Sequence, residues 1–308
     1  MAHESTKPFR SGFVALVGRP NAGKSTLTNA LVGSKVAITS DTPQTTRHRL
    51  RAVVNRPDSQ IVVVDTPGLH KPVDALGEEV NTSTFKSLED VDVVAMLIDA
   101  TKPVGTGDAW VAEAVKKARG VKARILVLTK ADIATPEQVT AQAEAGKALL
   151  DFSDTVVLSA TEGFNLEGFL QCVVQYLPEG PRWFPEGMTS DQPIEVLIAE
   201  LIREKALNAT FDEVPHAVGV QVDEIEYDDR GPEGLTRIFA TLYVERDSQK
   251  GIVIGKGGSV IKAIGAQARA DLERVLGTRV FLDLKVKVKK NWRKDAAQIR
   301  RFGYGEGA

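Results

Sequence analysis

At 308 residues, 43% apolar and 26% charged, the chain has the composition of an ordinary globular protein and the length for two domains, each with its own core. Cys172 is the only cysteine, which excludes an intramolecular disulfide and points to a reducing compartment; it falls on an apolar helical pattern and reads as a core filler. No apolar run reaches 18 residues, so no spanning helix is expected, and the polar residues 1–10 lack a secretory signal. The net charge of −2 hides an asymmetry: residues 191–249 hold 14 acids against 5 bases, and residues 250–301 hold 14 bases against 4 acids. Such a basic block is either a solvated face or, as we favour, a polyanion site.

In chain order, residues 13–17 read as a buried strand, and Gly18-Arg19-Pro20-Asn21-Ala22-Gly23-Lys24-Ser25 follows it. The spacing G-x-x-x-x-G-K-[ST] between a strand and a helix is that of a loop whose N–H groups wrap a nucleotide's phosphates. A helix over 25–32, starting with Ser25 and Thr26 and closed by Gly33, supplies its N-terminal partial charge. Lys24 is placed to reach the β- and γ-phosphates, and the Ser25 hydroxyl to ligate Mg²⁺. The polar stretch 39–48 contains Thr45 and Thr46, where a second hydroxyl for Mg²⁺ is expected; we take Thr46, with Thr45 the alternative. Strands over 50–56 and 60–64 are joined by a turn, and the second delivers Asp65-Thr66-Pro67-Gly68-Leu69. Asp65 suits a Mg²⁺ site, and Gly68 a bare N–H for a terminal phosphate.

Short β-branched runs at 93–98, 124–129 and 155–158 alternate with helical patterns at 109–119, 136–150 and 165–177. That alternation predicts a mixed, mostly parallel sheet with helices on both faces and ligands at the strands' carboxyl ends. Two of those ends carry Thr129-Lys130-Ala131-Asp132 and Ser159-Ala160.

The ordered set G-x-x-x-x-G-K-S, T-T, D-x-x-G, [NT]-K-x-D and S-A resembles the translation-factor-like GTPases. The resemblance implies that GTP and GDP bind with Mg²⁺. It implies that Asp132 selects guanine, that Lys130 packs along the base, and that the Ser159-Ala160 backbone meets O6. Thr129 replaces the commoner Asn. Leu69 stands where a Ras-like protein has the glutamine that orients water, and so resembles GTPases that position water otherwise. Asn21 and the Thr-rich loop resemble members activated by K⁺; the other reading is that Asn21 only suits a tight turn.

Four prolines and two glycines in 178–193 read as a linker, giving a GTPase domain at 1–180, a linker at 181–193 and a second domain at 194–308. There, an amphipathic helix at 194–209, strands at 216–227 and 235–246, a helical pattern at 260–276 and a strand at 280–288 surround Gly255-Lys256-Gly257-Gly258. This helix–strand–strand–helix–helix–strand order resembles a smaller α+β KH domain of the bacterial type II. In KH domains the G-x-x-G loop clamps single-stranded nucleotides. Ile252 and Ile254 are assigned to the groove floor, Lys256 supplies charge, and Lys262 and Lys287 extend the positive surface; the alternative is a set of solvated faces. A GTPase followed by such a domain resembles the Era family of bacterial GTPases. That resemblance implies a cytoplasmic, monomeric GTPase bound to the 3′ region of small-subunit ribosomal RNA. It also implies a role in maturation of the small ribosomal subunit and peripheral contact with the inner membrane face.

Overall fold

The structure, a computed structural model, describes residues 8–40, 42, 45–47, 50–68, 78, 81, 82, 85, 88–228, 234–302 and 304. The described residues fall into two compact units. One draws on Met1–Ala37, Thr46–Lys71 and Val80–Asp191, the other on Ile38–Thr45, Pro72–Glu79 and Gln192–Ala308.

The first unit is built on β1 (Arg10–Gly18), β2 (Leu50–Asn55), β3 (Ser59–Asp65), β4 (Val93–Asp99), β5 (Ala123–Thr129) and β6 (Asp154–Val157), in the order β2-β3-β1-β4-β5-β6. All pairs are parallel except β2 with β3, which a tight turn joins. The central strands are buried on both faces, which is why their sequences are continuous apolar runs. Successive side chains alternate: Val14 and Leu16 join one core layer, Ala15 and Val17 the other. α1 (Lys24–Val32) and α4 (Leu166–Tyr176) contribute Leu27, Leu31, Phe169 and Val173 to the first layer. α2 (Thr106–Lys117) contributes Val111 and Val115 to the second, and Val139 and Ala143 of α3 (Pro136–Lys147) pack against it. α2 begins three residues before the pattern suggested, because Asp108 at its third position accepts the Gly105 N–H and caps the turn. Cys172 is half-buried against the first layer, and burial, followed by nearby Asp154, pushes its thiol up to about 12. An inert filler behaves this way.

The proline-rich stretch is tied to this unit. Val53 N–H donates to Thr189 at 2.9 Å, Ser190 bridges Ala52, and Arg51 Nε pairs with Asp191 at 2.5 Å. Gln60 Oε1 accepts the N–H groups of Trp183 and Phe184 at 2.7 and 3.0 Å.

The second unit holds β7 (Gly219–Asp228), β8 (Leu235–Val244) and β9 (Arg279–Val288), antiparallel between β7 and β8 and parallel between β8 and β9. α5 (Ile194–Asn208), α7 (Asp247–Ile254) and α8 (Ser259–Leu276) share its apolar layer, with α6 (Val214–Ala217) as a short addition. α5 departs from a simple amphipathic helix. Glu200, Arg203 and Glu204 are buried, and Arg203 bonds both carboxylate oxygens of Glu200 at 2.6–2.7 Å and donates to the Thr45 carbonyl. After β9 a turn at Trp292–Lys294 and α9 (Ala296–Arg301) carry an aromatic knot that no motif announced. Trp292 is completely buried, donates Nε1–H to Ala217 O at 2.9 Å, and meets Phe302 edge-on at 4.9 Å.

Candidate functional site

The carboxyl ends of β1, β3, β4 and β5 gather the first group of candidate residues. Asn21 has φ 62° and Gly23 φ 89°, so the chain between β1 and α1 makes the sharp left-handed turns of a loop that presents N–H groups inward. Asparagine is among the residues that tolerate this conformation, which is compatible with the turn reading of Asn21. Gly23 occupies the cap position of α1, no side chain caps that helix, and its first turn carries no acid. Its leading N–H groups are therefore left for an anion. Lys24 is buried and donates to the carbonyls of Gly18 and Arg19 at 3.1 and 3.0 Å. Burial lowers its ammonium to about 8, against the opposing pull of Asp65.

Three oxygens converge beyond Lys24. Ser25 Oγ lies 2.9 Å from Thr46 Oγ1 and donates to Asp65 Oδ2 at 2.8 Å. Thr45 is turned away, its hydroxyl donating to the Thr42 carbonyl at 2.6 Å. Asp65 is completely buried at the end of β3, and its Oδ1 has no hydrogen-bond partner. Burial raises this carboxyl to about 6, with Lys24 and the Ser25 hydroxyl pulling the other way. Two hydroxyls and a carboxylate with an orphaned oxygen form a hard, all-oxygen donor set of the kind Mg²⁺ prefers. Thr66 is anchored by its hydroxyl to Leu16 O at 2.7 Å. Gly68 lies so close to the phosphate loop that a Cβ there would stand 2.9 Å from Pro20 Cα and N. Leu69 lies outside the described residues.

The other end of the loop is braced from β5. Thr129 is buried and its hydroxyl donates to Ala22 O at 2.9 Å, with Ile98 O at 3.2 Å as a second acceptor. The threonine thus ties the loop to β4 and β5. Lys130 takes φ 60° and bonds Asp99, while Asp132 stands exposed on the next turn. Ser159 is buried and accepts the Glu162 N–H at 3.1 Å, closing the turn that carries half-buried Ala160. Two carboxylates escaped the sequence reading. Asp99 holds Lys130 at 2.7 Å, and Asp108 holds Arg19 of the phosphate loop at 2.9 Å. The signal for Asp99 was its place, since it is an acid at the carboxyl end of a buried strand.

In the second unit, Gly255, Gly257 and Gly258 have φ of 72°, 62° and 79°. At Gly255 a Cβ would press against Val260 N at 2.9 Å, whereas at Gly257 nothing lies within 4 Å. Gly255 is therefore required by close packing, and Gly257 leaves an open approach to backbone. Lys256 is exposed on the turn, and the Lys262 stem reaches within 3.9 Å of the Gly258 Cβ position. On α7, Val253 is buried, Ile254 half-buried and Ile252 51% exposed, leaving an apolar surface beside the loop. Lys287 is not brought to them. Its neighbours Val286 and Val288 pack on the core, so strand alternation sends exposed Lys287 to the sheet's other face.

A family model described as a 50S ribosome-binding GTPase matches residues 13–130, and one described as a KH domain matches residues 213–293. The fold and these matches define a P-loop GTPase that carries a C-terminal KH domain. Over 298 residues, 96% of this chain and 99% of the relative, the sequence is 48% identical to GTPase Era of Mycobacterium avium (strain 104). It is 47% identical over the same span to GTPase Era of Mycobacterium tuberculosis. The chain belongs to the Era family of GTPases, enzymes that hydrolyse GTP. Among solved structures it is similar to a variant of Aquifex aeolicus Era bound to GDP and AlF4⁻, at 38% identity and TM-score 0.91 over 96% of this chain and all of that one. An Era structure in complex with MgGDPNP and nucleotides 1506–1542 of 16S ribosomal RNA is similar at 38% identity and TM-score 0.91, covering 96% of this chain and 99% of that one.

Proposed function

We propose that this chain is a Mg²⁺-dependent GTP-hydrolysing switch that binds single-stranded RNA at the 3′ region of small-subunit ribosomal RNA and acts in ribosome maturation. The observation that carries the reading is one chain holding both a Ser25–Thr46–Asp65 oxygen cluster, anchored on buried Asp65, behind a phosphate loop and an open G-x-x-G turn. The relative complexed with MgGDPNP and a 16S fragment covers both units, which favours that RNA over another. The family description naming the 50S particle concerns only the GTPase half.

In this reading Ser25, Thr46 and Asp65 would hold Mg²⁺, the orphaned Asp65 oxygen being the acceptor left over for it. When bound, the ion would supply positive charge to neutralise the phosphates. Lys24 carries its charge to the same phosphates, gaining an anionic partner in place of two loop carbonyls. Gly68 offers a backbone N–H to the terminal phosphate, and the helix terminus of α1 stabilises the charge that develops there. Asp132 accepts from the guanine N1–H and amino group, which an adenine cannot donate. Gly255, Lys256, Gly257 and Gly258 clamp the RNA backbone, with Ile252 and Ile254 under the bases and Lys262 on a phosphate.

GTP turnover with and without a 16S 3′-terminal fragment tests the proposal. RNA-responsive hydrolysis supports the switch, while tight RNA binding at an unchanged rate points to a scaffold that uses GTP as a conformational ligand. Exchanging K⁺ for Na⁺ in the same assay reads out a potassium requirement. The described residues contain no helix long and apolar enough to cross a membrane. Flotation with anionic vesicles, in competition with the RNA, tests the peripheral membrane contact that belongs to the same family reading.

A further inference from the structure

Lys130 is gripped by a carboxylate that none of the five motifs contains. Asp99 ends β4 directly opposite Thr129 in the parallel ladder. Its side chain is only 10% exposed, and Oδ2 accepts from Lys130 Nζ at 2.7 Å. Oδ1 is committed elsewhere, to Thr101 N at 3.0 Å and Thr101 Oγ1 at 2.6 Å. Burial alone pushes this carboxyl upward, yet the bonds from Lys130 and Thr101 hold it below its ordinary value. Thr101 fixes Asp99, and Asp99 fixes Lys130.

The backbone supports the same arrangement. Ala100 N donates to Thr129 O at 3.0 Å, tying the end of β4 to the start of the Thr129–Asp132 turn. Lys130 itself keeps φ 60°, a conformation that a lysine holds only when its surroundings enforce it. Lys102 also approaches Asp99, at 3.8 Å, but it is 59% exposed and its pull is screened. An incidental surface pair lacks these features. Here one partner is nine-tenths buried, both its oxygens are engaged, and the cation it holds lies two residues from Asp132.

We propose that Asp99 is a positioning residue of the guanine site. It pins the Lys130 ammonium, so that the lysine stem is set in one rotamer before the base arrives. The proposal rests on the assignment of Lys130 and Asp132 to guanine recognition made above. A free lysine would have to surrender its rotamers on binding, and Asp99 removes that cost in advance. Because Lys130 is assigned to the base and not to the phosphates, the effect belongs to nucleotide affinity and not to the chemical step.

Equilibrium and stopped-flow binding of a fluorescent GDP analogue, with far-UV melting to check folding, tests this on the full chain. Asp99→Ala is expected to weaken GDP about tenfold and to speed its dissociation by a similar factor. At saturating GTP, kcat stays within about twofold. Asp99→Asn keeps one acceptor oxygen, for either Lys130 or Thr101, and loses the charge, so it should give a smaller loss than the alanine. In a Lys130→Ala background Asp99→Ala should add nothing, because the two side chains act as one unit. Three results overturn the inference: unchanged GDP affinity in both Asp99 variants, a tenfold loss that persists without Lys130, or no effect of Lys130→Ala itself. An Asp132→Asn arm separates the levels. A shift toward xanthine nucleotides with silent Asp99 variants leaves the guanine site standing and removes only Asp99 from it.

Discussion

Asp65 concentrates the chemistry of the nucleotide end in one side chain. It is buried, one oxygen is bonded to Ser25 and the other has no partner, and burial raises its carboxyl to about 6. A raised carboxylate favours the protonated folded state, so its contribution to stability falls as pH rises from about 4 to about 6 and is constant above. Lys24, lowered to about 8 by burial first, loses stability in the opposite sense, as pH falls from about 10 to about 8. On the proposed assignment of Asp65 to Mg²⁺, protons compete with the ion below about pH 6, so the Mg²⁺ concentration for half-maximal hydrolysis should rise several-fold between pH 7.5 and pH 5.5. A Mg²⁺ requirement independent of pH would remove Asp65 from the metal site. At the base, Asp132→Asn should move preference from guanine toward xanthine nucleotides, since the amide donates where the carboxylate only accepts. Competition binding with GDP and XDP measures it. The motif residues were legible because their chemistry demands fixed types at fixed spacing. Asp99 and Asp108 were not, because they meet Lys130 and Arg19 from other strands and helices at sequence separations of 31 and 89. The choice between Thr45 and Thr46 also needed geometry. Adjacent threonines are equivalent in a string, but only Thr46 turns its hydroxyl toward Ser25.

At the scale of elements, period-two burial and helix caps carried the reading, and it faltered where charges are buried. The stretch 194–209 reads as an amphipathic helix, yet Glu200, Arg203 and Glu204 are among the most buried charges in the second unit. Arg203 has no exposed surface, and Glu200 neutralises it bidentately. Glu200→Ala should therefore cost the second unit roughly 3–5 kcal/mol by taking the bidentate partner from a buried cation, with Glu204 left as its nearby counter-charge. A thermal melt showing less than about 1 kcal/mol would mean that the site admits water. The aromatic knot of Trp292, Phe302 and Tyr304 was invisible for a related reason. Its members are scattered among polar residues in short elements, without the periodicity of a long helix or strand. The G-x-x-G turn, by contrast, was legible as a pattern but not as a division of labour. Only the structure separates Gly255, which packing requires, from Gly257, which faces open space. It also separates Lys262, beside the turn, from Lys287, whose alternation sends it across the sheet.

At the scale of the whole chain, a GTPase unit and an RNA-binding unit in one polypeptide make sense as a switch only if each ligand alters what the other does. The first unit offers no glutamine at position 69, where Leu69 stands, and Arg19 near the phosphates is committed to Asp108 at 2.9 Å. Unassisted turnover should accordingly be slow, at or below the about 10⁻² per second of GTPases that carry their arginine in cis. Leu69→Ala should change it less than about tenfold, because no catalytic amide is lost. RNA carrying the 16S 3′ sequence should raise the rate several-fold. The decisive variant is Lys256→Asp with Gly257→Asp, which puts two negative charges and a Cβ where phosphate meets open backbone. Both positions are exposed, but Gly257 holds φ 62°, where Asp is tolerated at some strain, so a thermal melt is run beside the assays and Lys256→Asp alone serves as the unstrained control. RNA affinity should drop at least tenfold, GDP affinity and the unassisted rate should hold, and the stimulation by RNA should vanish. Filter binding across a salt titration, run beside single-turnover hydrolysis, reads all of these. Lys262→Ala should weaken RNA uniformly and flatten the salt dependence by roughly one unit of slope. If the double variant keeps RNA-stimulated hydrolysis, the G-x-x-G turn is a plain helix connector, and the basic block at 250–301 meets its polyanion through another surface.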